Sequence, residues 1–179
     1  MILEIKKILY ATDLSKNASY AFFYAANMAE KHNARIVMLH AIKPGPYTPY
    51  EAYGLAAVMG LQKQEQEMDF EEMRTSLQNF CKRMETHVGH PCSELVSKIL
   101  VPLGHPVEEI LKAADDEGCD AIVLGTHGKG FLRQTFLGSV AGSVLERARK
   151  PVFVIPLPSE KTNIDWDKIM PAMTHKGGM

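Results

Sequence analysis

The sequence predicts an α/β protein built on a mainly parallel sheet with helices on both faces. Two observations predict it. Short apolar runs alternate with longer stretches of helical periodicity, in the order βαβαβαβαβ. That alternation implies right-handed crossovers between parallel strands. One of the runs, residues 36–42 (IVMLHAI), is apolar almost throughout. Strands of that kind are usually buried on both faces, as in a parallel sheet.

The elements follow in order. Residues 5–11 (IKKILYA) read as the first strand, stopped by the capping types Thr12, Asp13 and Ser15. Ala18, Ala21, Phe22, Ala25, Met28 and Ala29 recur at helical spacing, and Asn33 suits a left-handed helix end. Residues 36–42 form the second strand. Pro44, Pro46 and Pro49, interleaved with Tyr47, Tyr50 and Tyr53, exclude a regular helix at the start of 43–60. That long loop is either a lid or contact surface, and then the candidate moving part, or a plain solvent loop. Phe70, Met73, Leu77, Phe80 and Met84 mark the stripe of a helix over 61–87. After the break HVGHP, residues 97–103 are the third strand. Pro106 opens a further helix with Glu108 and Glu109 near its positive end, a stripe of Val107, Ile110, Leu111 and Ala114, and Gly118 closing it. Residues 120–124 and 152–155 (VFVI) complete the strands. A single domain over 1–157 is expected, with a partly disordered tail over 158–179 that holds Trp166.

Bulk properties exclude several classes. The chain has 179 residues, enough for one domain with a real core. Its formal charge is −1 without a block of like charges, which argues against a nucleic-acid face. No apolar run approaches the roughly 20 residues that span a bilayer. The start, MILEIKKIL, lacks the pattern of a secretory signal. Cys81, Cys92 and Cys119 form no CxxC pair and read as structural thiols of a cytoplasmic protein.

Residues 121–150 carry the chemistry. An apolar strand leads to a loop with Gly125, Gly128 and Gly130, then to Gly138-Ser139 and a helical pattern over 140–148. Uncovered N–H groups at a helix start, with the positive end of its dipole, suit an anion. The loop is not a P-loop, because Lys129 is followed by Gly130 and not by Ser or Thr. It is not the dinucleotide fingerprint, because the turn after the first strand has no glycine.

Gly125-x2-Gly128-x9-Gly138-Ser139 resembles the ATP-binding pattern of the universal stress protein family. GHPVEEIL, CDAIVLGTHG and KPVFVIP strengthen the resemblance, which covers about 5–156. It implies a five-stranded sheet of order 3-2-1-4-5 and a homodimer through residues 152–155. It also implies ATP, ADP or AMP as ligand, with Mg²⁺ or Mn²⁺ a possible companion. Asp13, Ala41, Leu124 and Gly125 would border the nucleoside. Gly128, Gly138, Ser139 and Val140 would cradle the phosphates.

Other readings stay open at this level. His127 could hydrogen-bond a phosphate or simply sit on a surface loop, and Lys129 and Arg133 are charged in either case. Asp13 could contact the nucleoside or cap its helix, and Ser139 could cap its own. Gly142 reads as a packing glycine. His87, His90, Cys92 and His105 lack a metal-ligand spacing. No carboxylate lies between Gly125 and Leu145 to hold a metal or activate water. The expected role is therefore nucleotide-dependent regulation of an unidentified protein partner, with slow hydrolysis at most. The rivals are a slow ATP-hydrolysing enzyme and a nucleotide-free dimeric scaffold.

Overall fold

The central strand, β1 (Lys7–Ala11), is flanked by four more in the computed structural model, which defines residues 4–43, 61–126 and 137–156. They are β2 (Arg35–Leu39), β3 (Val96–Leu100), β4 (Ala121–Gly125) and β5 (Val152–Ile155). The order is β3-β2-β1-β4-β5 and every pairing is parallel, as expected. The helices are α1 (Lys16–His32), α2 (Leu61–Val88), α3 (Cys92–Leu95), α4 (Pro106–Asp116) and α5 (Ser139–Arg147).

Alternation along the strands divides the core into two layers. Ile8, Tyr10, Ile36, Met38 and Val123 face α1 and α2, where Ala21, Phe22, Ala25, Leu77, Phe80 and Met84 are buried. Leu9, Ala11, Val37, Leu39, Ile122 and Leu124 face α4 and α5, where Val107, Ile110, Ala114, Ala141 and Val144 are buried. Alanines on α1 bring that helix close to the sheet. Phe22 then wedges edge-on between Tyr10 and Phe80, with centroids 5.2 and 5.3 Å away. Tyr10 is fully buried, and its hydroxyl donates to the Ala18 carbonyl at 2.6 Å. Burial raises its pKa far above the usual phenol range, so the ring stays neutral.

Helix ends follow local chemistry. Asn33 adopts φ 51° and ψ 42°, and its N–H donates back to the carbonyls of Ala29 and Glu30. Pro106 starts α4, and Gly118, at φ +61°, lies just beyond its end.

Several boundaries differ from expectation. β1 begins at Lys7, where the N–H groups of Lys6 and Lys7 donate to the Asp120 carboxylate at 2.8 and 2.9 Å. Asp120 itself precedes β4. β2 and β3 stop at Leu39 and Leu100, although pairing resumes at Ile42 and Leu103. Pro102 has no N–H to continue the ladder, whereas its carbonyl still accepts from Ile42 at 2.9 Å. The short helix α3 was not expected, since four residues leave no periodicity to read. Leu111 is only partly buried on α4, and Ala113 takes its place in the stripe.

The cysteine expectation needs correction. Cys81 and Cys92 form a disulfide, with Cα atoms 5.8 Å apart, and only Cys119 is a free, buried thiol. The turn after α2 folds the chain back and brings together two residues 11 apart in sequence. The Pro/Tyr segment and the tail lie outside the described residues, so the readings made of them do too.

Candidate functional site

Three turns leave the carboxyl edge of the sheet around β1. The first follows β1 itself. Thr12 is buried, its N–H donates to the Leu39 carbonyl at 2.9 Å, and its Oγ1 accepts from the Leu14 amide at 3.0 Å. Asp13 Oδ1 accepts from the Ser15 amide at 3.0 Å, and Ser15 Oγ accepts from the Ala18 amide at 3.2 Å. Ser15 is therefore the residue that caps α1, and Asp13 shapes the turn before it. Leu14 sits at φ 60°, a left-handed conformation uncommon for its type. The left-handed backbone there shapes the β1 turn, and the Leu14 side chain packs partly buried against the core layer of α1 and α2.

The second turn follows β2. His40 Nδ1 donates to the Thr12 carbonyl at 2.7 Å and joins the β1 and β2 turns. Sequence reasoning missed His40, although its place one residue after the strand end was a usable signal. Ala41 lies next to it and is half-buried.

The third turn follows β4. Leu124 is buried and Gly125 half-buried. The Thr126 carbonyl accepts from the Gly138 amide at 2.7 Å, while the Thr126 amide donates to the Ile155 carbonyl at 3.0 Å. The two ends of the glycine loop are thus closed onto each other at the edge of β4 and β5. His127 and Gly128, with Lys129 and Arg133, lie outside the described residues.

Gly138 is the N-cap of α5, at φ −67° and ψ 156°, and no side chain caps that helix. Ser139 is its first helical residue, so of the two roles left open for its hydroxyl, capping of α5 does not occur. The first amides of a helix have no carbonyl partner within it, so Ser139 and Val140 turn such donors toward the carboxyl edge. Gly142 is not a site of forced close approach. A Cβ there would meet only Leu137, at an ordinary 3.6 Å, among the described residues.

Topology brings these turns together. The chain leaves β1 for α1 on one face and β4 for α5 on the other. Adjacent strands whose connections depart to opposite faces leave a crevice at their carboxyl ends. Asp13 and Thr12 stand on its β1 side, and Gly125 and Gly138 on its β4 side. His40 and Ala41 stand one strand further along.

The histidines weighed as metal ligands serve elsewhere. The His87 ring packs edge-on against Phe23, His90 Nε2 lies 3.2 Å from Glu30, Cys92 is bonded to Cys81, and His105 precedes α4 as its N-cap. A cavity of about 340 Å³ opens beside Phe23, Tyr24, Glu30 and His87, and another of about 470 Å³ beside Lys112, Asp115, Arg147 and Arg149. Near the second, Arg147 holds Glu108 through two bonds of 2.7 and 3.0 Å, which lowers the Glu108 pKa. Neither cavity includes a residue of the crevice.

Comparison with known proteins places this arrangement. The profile of the "Universal stress protein family" matches residues 4–156. Universal stress protein MJ0577 of Methanocaldococcus jannaschii is 32% identical over 163 residues, covering 87% of this chain and 97% of that one. The solved structure of MJ0577 superimposes with a TM-score of 0.68, at 31% identity and over 88% and 99% of the two chains. A universal stress protein of Archaeoglobus fulgidus solved in complex with dAMP shares the fold, with a TM-score of 0.55 at 24% identity over 87% and 99%. The chain belongs to the universal stress protein family.

Proposed function

We propose that this chain binds an adenine nucleotide, ATP foremost, in the crevice between β1 and β4, and that occupancy regulates a protein partner. One observation carries the reading. The helix after the glycine spacing begins at Gly138 with no side-chain cap, at the carboxyl edge of the sheet. Its first amides and its dipole suit a phosphate group. The likeness to the dAMP-bound protein carries the fold alone, so the ligand class rests on Gly125-x2-Gly128-x9-Gly138-Ser139.

In this reading Asp13, Ala41, Leu124 and Gly125 border the nucleoside. His127, Gly128, Gly138, Ser139 and Val140 surround the phosphates. The resemblance implies Mg²⁺ or Mn²⁺ as a possible companion of the nucleotide; no trio of His, Cys, Asp or Glu gathers for a metal among the described residues. Residues 1–157 form the nucleotide domain, and the cytoplasm is its compartment. Binding without appreciable turnover is the expectation for this crevice, where Asp13 is the acid on the β1 turn among the described residues and accepts from the Ser15 amide.

The test is to denature the purified protein, identify any released nucleotide by mass spectrometry, and titrate ATP into the emptied protein. Sub-millimolar binding is expected, together with turnover well below about 1 s⁻¹, the low end of ordinary enzymes. Absence of both retained nucleotide and binding would leave the scaffold reading. The Gly138→Val substitution should weaken ATP binding by at least about tenfold, about 1.4 kcal/mol, because a branched side chain would stand where the phosphate approaches. Unchanged affinity would remove α5 from the site.

A further inference from the structure

The Cys81–Cys92 pair lies at the corner between α2 and β3, the end strand of the described sheet. Cys81 is buried at 2% exposure on the core face of α2, and Cys92 is partly buried at the start of α3. Their Cα separation of 5.8 Å falls within the span of about 4.4 to 6.8 Å that a disulfide bridges. The corner is also held by bonds that do not involve sulfur. Glu85 Oε1 accepts from the Cys92 amide at 2.8 Å, the Gly89 amide donates to the Glu85 carbonyl at 2.9 Å, and the Glu94 amide donates to the Pro91 carbonyl at 3.0 Å. Gly89, at φ +80°, reverses the chain at little steric cost. Leu77, Phe80 and Met84 anchor the same helix in the core. Reduction therefore leaves the two thiols facing each other across a turn already fixed by hydrogen bonds and packing.

We propose that Cys81 and Cys92 are a reversible dithiol–disulfide modification site, closed by peroxide-class oxidants and opened by dithiol reductants. Accessibility sets the sequence of steps. Cys92, the less buried thiol, loses its proton and its thiolate attacks one peroxide oxygen. The O–O bond breaks, the departing hydroxide takes that proton as water, and Cys92 becomes a sulfenic acid. The Cys81 sulfur then displaces the sulfenic oxygen, which leaves as a second water with the Cys81 proton. Two electrons pass from the sulfurs to one peroxide. The third cysteine does not compete, since Cys119 is buried at 1% exposure and burial pushes its thiol up to about 11. The closed bond ties the end of α2 to the segment that leads into β3, a strand with one free side in the described sheet.

The test uses the full chain. Reduced protein is treated with hydrogen peroxide, quenched in acid, denatured and alkylated with a maleimide, and then read by intact mass and peptide mapping. Reduced protein should take three adducts, one per cysteine in the sequence. Oxidised protein should take one, on Cys119, and yield a linked Cys81–Cys92 peptide that a dithiol returns to the reduced form. Cys119→Ser should retain the linkage, and Cys92→Ser should abolish it. Peroxide should raise the thermal midpoint of the wild type and of Cys119→Ser, but not of Cys92→Ser or Cys92→Ala. Three adducts after peroxide, a bond involving Cys119, or a bond between two copies of the chain would each overturn the proposal.

Discussion

Tyr10 shows how one side chain can serve two layers of structure. Its ring fills the core against Phe22, and its hydroxyl reaches the Ala18 carbonyl near the start of α1. Tyr10→Phe keeps the ring and removes the bond, so a loss of about 0.5 to 1.5 kcal/mol is expected by urea unfolding, with nucleotide affinity unchanged. Cys119 gives a pH signature. Burial holds its thiol neutral up to about 11, above the ordinary value near 9, so the unfolded chain releases this proton first as pH rises. Its contribution is therefore complete below about pH 9 and declines toward about pH 11. Cys119→Ala should flatten that alkaline decline in a series of denaturation curves. His40 and Leu14 belong to this scale as well. Neither had a spacing to announce it, because a bond between two strand ends and a left-handed turn exist only after the strands pair.

Helices and strands in this chain are stopped by chemistry that is mostly local. Asn33 ends α1 in the left-handed region, where its side chain is tolerated and a Cβ-branched residue would be strained. Asn33→Gly should be neutral or mildly stabilising, whereas Asn33→Val should cost about 1 to 3 kcal/mol in thermal or urea unfolding. The strands were harder to delimit. Pro102 interrupts the β2–β3 ladder after Leu100, and the Asp120 carboxylate takes the amide before β1 and the first amide of β1. Both effects depend on which segment lies alongside. The order of elements was legible because periodicity is written into each segment, while their ends answer to partners distant in sequence.

At the scale of the whole molecule, the sheet of the described residues leaves β5 as an edge. The Pro151 and Ile155 carbonyls accept from β4, so by alternation Val152 and Val154 direct their backbone groups away from it. Phe153 of β5 is 38% exposed. Edges of this kind invite pairing, and the resemblance implies a second copy of the chain as the partner through residues 152–155. Wild-type protein should sediment as a dimer at micromolar concentration, and Val154→Pro should sediment as a folded monomer. A monomeric wild type would remove the proposed interface.

Sequence by itself determined the alternation of strands and helices, the helix stops at Asn33 and Gly118, and the glycine spacing from Gly125 to Ser139. Each is a property of neighbouring residues: a period, a backbone preference, a loop length. Tertiary structure decided that Ser15, and not Asp13, caps α1. It decided that Gly138, and not Ser139, occupies the N-cap position of α5, and that His40 ties the β1 and β2 turns. It also joined Cys81 to Cys92 across the reversal at Gly89. These outcomes turn on hydrogen bonds and contacts whose partners meet only once the sheet has assembled, and no local pattern encodes which of two neighbouring polar side chains will be the one in reach.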